Sequence, residues 1–143
     1  MSTLPVTERF ASYLVDERRF SPYTARCYGA DLRQFIEFLV SQRGSEPDQG
    51  AERAEFERRE NNASGTPADS FTTVILDADA DLIRGFLEHL SQKEYSAATM
   101  ARKIATLSSF YKWAHRVGLA ATNPMTLIRT PRQSKRLPKA ITI

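Results

Sequence analysis

Apolar residues recur along this chain at helical spacing in four blocks. The first covers residues 5–18, with Phe10, Tyr13 and Leu14 on its apolar side. The second follows Ser21-Pro22 and carries Tyr28, Leu32, Phe35 and Leu39, at steps of 4, 3 and 4 that make one continuous stripe. Serine at such a start accepts a bond from an unpaired N–H of the first turn, and proline at the first helical position gives up no needed donor. Gly44 supplies a stop. The third block begins near Asp77 or Asp79, acids that suit the positive end of a helix, and shows Leu82, Ile83, Phe86, Leu87 and Leu90 as its stripe. The fourth starts at Ser96 as N-cap, runs to about Val117 and is stopped by Gly118. Asn123-Pro124 opens a short fifth helix ending near Ile128. The only β-like run, from Thr72 to Leu76, is short, so the pattern predicts an all-α bundle of four main helices and a short fifth.

Residues 44–73 break the pattern. They hold seven acids against three arginines, glycines at 44, 50 and 65, prolines at 47 and 67, and few apolar side chains. Such a stretch is expected to bury too little surface to offset its ordering, and reads as a flexible acidic insertion with one or two helical turns around residues 52–60. Residues 129–143, with Pro131, Pro138 and five basic residues, read as an extended basic linker.

Charge changes the picture further. The chain as a whole is +3, but its last 48 residues carry nine Lys and Arg and no Asp or Glu, leaving the remainder at −6. That asymmetry points to a polyanion, with nucleic acid as the leading candidate. The single Cys27 excludes an intrachain disulfide framework and a cysteine zinc site, and fits a reducing compartment. The N-terminus lacks a basic segment followed by an apolar run, and no apolar run approaches the ~20 residues that cross a bilayer. A soluble, cytoplasmic protein with no membrane partner is expected.

On a helical wheel of the fourth block, Met100, Ile104, Leu107, Tyr111 and Ala114 share one face, while Thr99, Arg102, Thr106 and Ser109 lie nearly opposite. Later that opposite side turns apolar at Phe110, Trp113 and Val117. A helix apolar nearly all round is buried, so the second half is expected in the core and the first half to project a polar, basic face. Arginine can fork onto guanine or phosphate, lysine adds a point charge and threonine a hydroxyl and a methyl. A solvated helix face has the same composition; the acid-free run to Ile143 favours binding. In the second block Thr24, Arg26, Ala30 and Arg33 lie off the apolar stripe, beside the small Gly29, with plain surface arginines as the alternative. Tyr28, Tyr111 and Trp113 fall at core spacing, and Tyr28 with Asp31 is expected to form a polar clamp at a helix contact. Cys27 reads as a small apolar residue.

Catalytic patterns are absent from the sequence. His89 and His115 lie on different helices with no companion set, no metal-ligand spacing occurs, and neither a phosphate-cradling glycine loop nor a nucleophile elbow is present. No cofactor, metal or small-molecule ligand is expected.

Ser21-Pro22-Tyr23-Thr24, followed by Tyr28, Asp31-Leu32 and Phe35, resembles the second-helix signature of the tyrosine recombinase (phage integrase) family, especially its Xer-like members. Residues 96–113, with Ser96, Thr99, Arg102-Lys103-Ile104-Ala105, Leu107, Ser109-Phe110-Tyr111 and Trp113, resemble the family's fourth helix. Asn123-Pro124 and the tail through Pro131 and Leu137-Pro138-Lys139 look like its exit into an interdomain linker. The resemblance implies that residues 1–128 are a four-helix, SAM-like orthogonal bundle, the core-binding domain, which together with a catalytic domain clamps recombination-site DNA during strand exchange. It assigns DNA contact to Thr24, Arg26 and Cys27 on the second helix and to Ser96, Thr99, Arg102 and Lys103 on the fourth. Lys93 would be a phosphate contact, and Arg132, Lys135 and Arg136 of the linker would add charge. Double-stranded DNA and other recombinase protomers are the implied partners. The family's catalytic residues belong to the second domain and have no match here, so the chain is expected not to be an enzyme by itself. The competing reading is a helical protein-interaction module with no role on DNA, presenting the Phe110 and Trp113 side to a partner.

Overall fold

The computed structural model describes residues 3–63 and 65–128. Six α-helices follow one another: α1 (Pro5–Asp16), α2 (Pro22–Arg43), α3 (Gln49–Glu60), α4 (Phe71–Leu76), α5 (Ala80–Ser91) and α6 (Ala97–Arg116), with a 3-10 turn at Pro124–Leu127. Among the described residues there is no strand. Side-chain caps set most of the helix starts. Ser21, Ser70, Asp79 and Ser96 each accept from the backbone N–H three residues on, and Asp48 and Asn123 from the N–H two residues on. Gly44 closes α2 in the left-handed region at φ 75°, where a side chain would be strained.

The core lies where α1, α2, α5 and α6 converge. Phe10 meets Phe110 edge-on at 5.4 Å and Trp113 at 5.4 Å, while Phe35 meets Phe86 at 4.8 Å. Leu14, Ile36, Ile83, Leu90 and Ala114 fill the space between and are fully covered. The Tyr111 hydroxyl donates to the Ile75 carbonyl at 2.8 Å, which satisfies a phenol buried without access to water. Burial also pushes that phenol far above its ordinary pKa.

The stretch at residues 44–73 differs from expectation. Rather than one or two turns in a solvated insertion, it forms the twelve-residue α3 and leads into α4, which takes the β-like run from Thr72 onward. Glu52, Glu55 and Phe56 of α3 are buried. Two of the acids that read as a solvated charge run, Glu52 and Glu55, are internal acceptors, while Glu46, Asp48, Glu57, Glu60 and Asp69 are exposed. Glu52 accepts from Phe71 N at 2.9 Å, Thr72 N at 2.8 Å and the Thr72 hydroxyl at 2.7 Å, so a carboxylate sits on the N-terminus of α4. Glu55 accepts from Arg58 at 3.0 and 2.7 Å, Arg59 at 2.7 Å and Ala68 N at 3.1 Å. Arg59 then forks onto Asp77 and donates to the Leu119 carbonyl at 3.1 Å, tying α3 to the end of α6. Six apolar and β-branched residues become a helix because Phe71, Ile75 and Leu76 are buried while Ser70 and Glu52 satisfy the first turn.

Candidate nucleic-acid interface

The two helices expected to carry the site cross at a buried carboxylate. Asp31 of α2, nearly inaccessible, accepts from Arg102 Nε at 3.1 Å and Nη2 at 2.7 Å, from Lys103 Nζ at 2.9 Å and from the Thr106 hydroxyl at 2.8 Å. Burial alone would raise its pKa; the bonds from Arg102, Lys103 and Thr106 outweigh burial and hold it below the ordinary carboxylate value. Gln34, one turn along α2, accepts from Lys103 Nζ at 2.8 Å and donates to the Tyr95 hydroxyl at 2.9 Å. The Lys103 ammonium also stands 4.9 Å from the centre of the Tyr95 ring. Asp31 therefore does form a polar clamp, but with α6. Tyr28 is not part of it and packs edge-on against Phe20 at 5.4 Å.

This cluster revises the outward face of α6. Lys103 is buried, with its ammonium held by Asp31 and Gln34. Thr106, expected opposite the core, is fully buried on Asp31. The reason is rotational: one step past Arg102 turns 100° into the α2 contact, and a buried acceptor there draws polar side chains inward. Arg102 keeps 43% of its side chain exposed at the edge of the contact.

The remaining candidates divide. Thr24 is half-buried, and its hydroxyl accepts from Ser21 Oγ at 3.0 Å; Thr99 repeats the arrangement with Ser96 at 3.1 Å. Tyr23 and Cys27 of α2 lie near the Arg102 guanidinium. Arg26 is exposed but lines a hollow with Thr7, Glu8, Ala11 and Val15 of α1 and with Arg33. It is therefore on the α1 flank of α2 and not beside Arg102, because five residues separate it from Asp31 and turn it about 140° away. Lys93 is exposed in the turn between α5 and α6. Arg132, Lys135 and Arg136 lie outside the described residues.

The structure adds cations that the sequence reading had not placed. A groove of about 670 Å³ runs along the outward face of α6. Its floor includes Met100, Ala101, Ile104, Ala105 and Trp113, and Arg18, Lys112 and Arg116 border it. Among the described residues none of these three cations pairs with a carboxylate. Arg18 lies over Phe20 at 5.0 Å and Arg116 over Tyr13 at 5.2 Å. Lys112 and Arg116 were visible as charge in the acid-free run, but their direction depends on the register of α6 against α1. Phe110 and Trp113 are buried, so the side on which a protein-interaction module would rely is core. His89 packs on Phe38 at 5.0 Å, and His115 Nδ1 lies 3.2 Å from the Ala120 carbonyl. Among the described residues no group of three or more His, Cys, Asp or Glu could hold a metal ion, and no helix is long and apolar enough to cross a membrane.

Residues 69–118 match the family model described as phage integrase, N-terminal SAM-like domain. The chain carries that module and is similar along nearly its whole length to tyrosine recombinases. Its relatives include the tyrosine recombinase XerC of Myxococcus xanthus, 32% identical over 142 residues that make up 99% of this chain and 38% of the relative. XerC of Chlorobaculum parvum is 31% identical over 94% of this chain and 33% of its own length, and XerC of Rhizobium meliloti 32% identical over 94% and 35%. The chain thus spans little more than a third of the curated relatives it matches. No solved structure matches it.

Proposed function

We propose that this chain grips duplex DNA at a recombination site, as the non-catalytic arm of a tyrosine recombinase whose protomers assemble on the same DNA in the cytoplasm. The observation that carries the reading is the outward side of α6. Lys112 and Arg116 stand there with Arg18 beside a floor of small and apolar residues, with no carboxylate paired to these three among the described residues, and Arg102 stands at the α2 edge of the same helix, paired with Asp31. Thr99 in the first turn of α6, Lys93 in the turn before it, and Thr24 and Cys27 of α2 are proposed to join them on the duplex, while Arg26 and Arg33 line a separate hollow against α1. The basic residues at 132, 135 and 136 continue the same charge in sequence. Strand cleavage is assigned to residues beyond this module. Tyr111, on the helix nearest the proposed duplex, is buried with its hydroxyl bonded to Ile75, which unfits it as a nucleophile.

Binding built on phosphate contacts releases counterions, so affinity falls linearly with salt on a logarithmic plot, by about 0.9 for each phosphate neutralised. Fluorescence anisotropy of a labelled 30-base-pair duplex, titrated with the chain from 25 to 300 mM salt, should give a slope of roughly −3 or steeper. Charge reversal at Lys112 and Arg116 together should flatten it. A slope near zero would remove the electrostatic basis of the proposal.

A further inference from the structure

We infer that Arg102 is the residue through which this module distinguishes one DNA sequence from another, and that Asp31 positions it to read the edge of a guanine. The inference rests on the DNA-binding reading above and adds to it a base, a side chain and a reason. Arg102 offers five N–H donors in a planar fork. Its Nε and one Nη2 hydrogen are engaged side-on by the two oxygens of Asp31, at 3.1 and 2.7 Å. What remains is the end of the fork, Nη1 and the second Nη2 hydrogen, on a side chain that is 43% exposed. The bidentate pair fixes the plane and direction of that end, and the Thr106 hydroxyl and Lys103 ammonium hold Asp31 in turn.

Two features favour a base over a phosphate. The first is direction. Asp31 holds the Nε edge of the guanidinium, so its free end is a planar pair of donors with a fixed heading, a stricter match than a phosphate demands. Those donors are well matched to neutral acceptors such as guanine O6 and N7, which lie side by side in the major groove. The second is relief. The neighbours of Arg102 on the outward side of α6 are Ala98, Ala101, Ala105 and Ser109, so α6 itself puts nothing long between Arg102 and a groove wall, and the one large exposed side chain nearby is Tyr23 of α2. The cations suited to phosphate, Lys112 and Arg116, lie further along the helix.

Selection from a pool of duplexes with a randomised central segment, using the 143-residue chain at low salt, tests this. The wild type should enrich a guanine at one position by about tenfold or more. Arg102→Lys, which keeps the charge and loses the fork, and Asp31→Asn, which keeps the shape and loses the buttress, should each cut that preference to under about threefold, with affinity for the unselected pool changed far less. Arg102→Ala in the Asp31→Asn background should cost no further preference. Circular dichroism checks folding. If Asp31→Asn is unfolded, Asp31→Asn with Lys103→Met takes its place, since it removes both buried charges together. Even weakening of all sequences by Arg102→Ala, or a guanine preference that survives loss of the Asp31 carboxylate, would overturn the inference. If the wild type does not retain the pool at all, the DNA-binding reading itself fails and this inference with it, whereas retention without a guanine preference overturns the inference alone.

Discussion

Glu52 and Glu55 sit three residues apart on α3 and hold different parts of the molecule. Glu52 caps the start of α4, and Glu55 gathers two arginines and the Ala68 amide. Removing the Glu52 carboxylate strands two buried amides and a hydroxyl, so Glu52→Ala should cost about 1–3 kcal/mol in urea unfolding. Glu57→Ala, on the exposed side of the same helix, should stay within about 0.5 kcal/mol. The Arg58 guanidinium, aided by Arg59 and Ala68 and opposed by burial, brings the Glu55 carboxyl down to about 2 from 4.5. A carboxyl depressed on folding contributes stability that is whole above its unfolded value and lost as pH falls through its folded one. The thermal midpoint should therefore drop between pH 4.5 and about 2, and less steeply in Glu55→Gln. An unchanged acid slope in that variant would contradict the assignment. None of this was legible in the sequence, where an acid that caps a neighbouring helix and one that faces water read alike. Asp31 was half legible: its place beside the apolar stripe of α2 marked it for a helix contact, but nothing local named three donors 71 to 75 residues away.

At the scale of elements, capping chemistry and periodicity were the readable part. The starts at Ser21, Asp79 and Ser96 and the stop at Gly44 hold as the pattern predicts. The wheel of α6 places Leu107, Phe110, Tyr111, Trp113 and Ala114 inside, as they are. It fails at Thr106 because a wheel sorts by hydrophobicity, while the partner helix presents a carboxylate at that point. It fails at α3 and α4 because hydrophobic content alone decided, and a helix of few apolar residues can still be fastened by ion pairs to its neighbours. Phe110 stands where α1 meets α6, and truncating it opens a cavity that packed neighbours cannot fill. Phe110→Ala should cost about 3–5 kcal/mol in denaturant unfolding. A cost under about 1 kcal/mol would mean that α1 does not pack as described.

For the molecule as a whole, the asymmetry of charge is the feature that connects fold to function. Glu52 and Glu55 of α3 are taken up in internal bonds, while Lys112 and Arg116 of α6 border an open groove with no carboxylate paired to them among the described residues. The excess of charge was countable in the sequence, but its direction was not. The resemblance grouped Arg26 and Lys103 with Arg102; the fold sets Arg26 toward α1, while Lys103 shares Asp31 with Arg102 but is buried in the α2 contact. Arg18 joins the site only because the end of α1 comes to rest beside α6. The central claim is that α6 and the adjoining part of α2 form the surface that meets DNA. Backbone amide shift mapping by NMR, with the labelled chain titrated by a short duplex, tests it most directly. Changes should concentrate at Thr24, Cys27, Thr99, Arg102, Lys112 and Arg116, and α3 and α5 should stay still. Changes centred on α3 or α5, or none anywhere at low salt, would contradict the account.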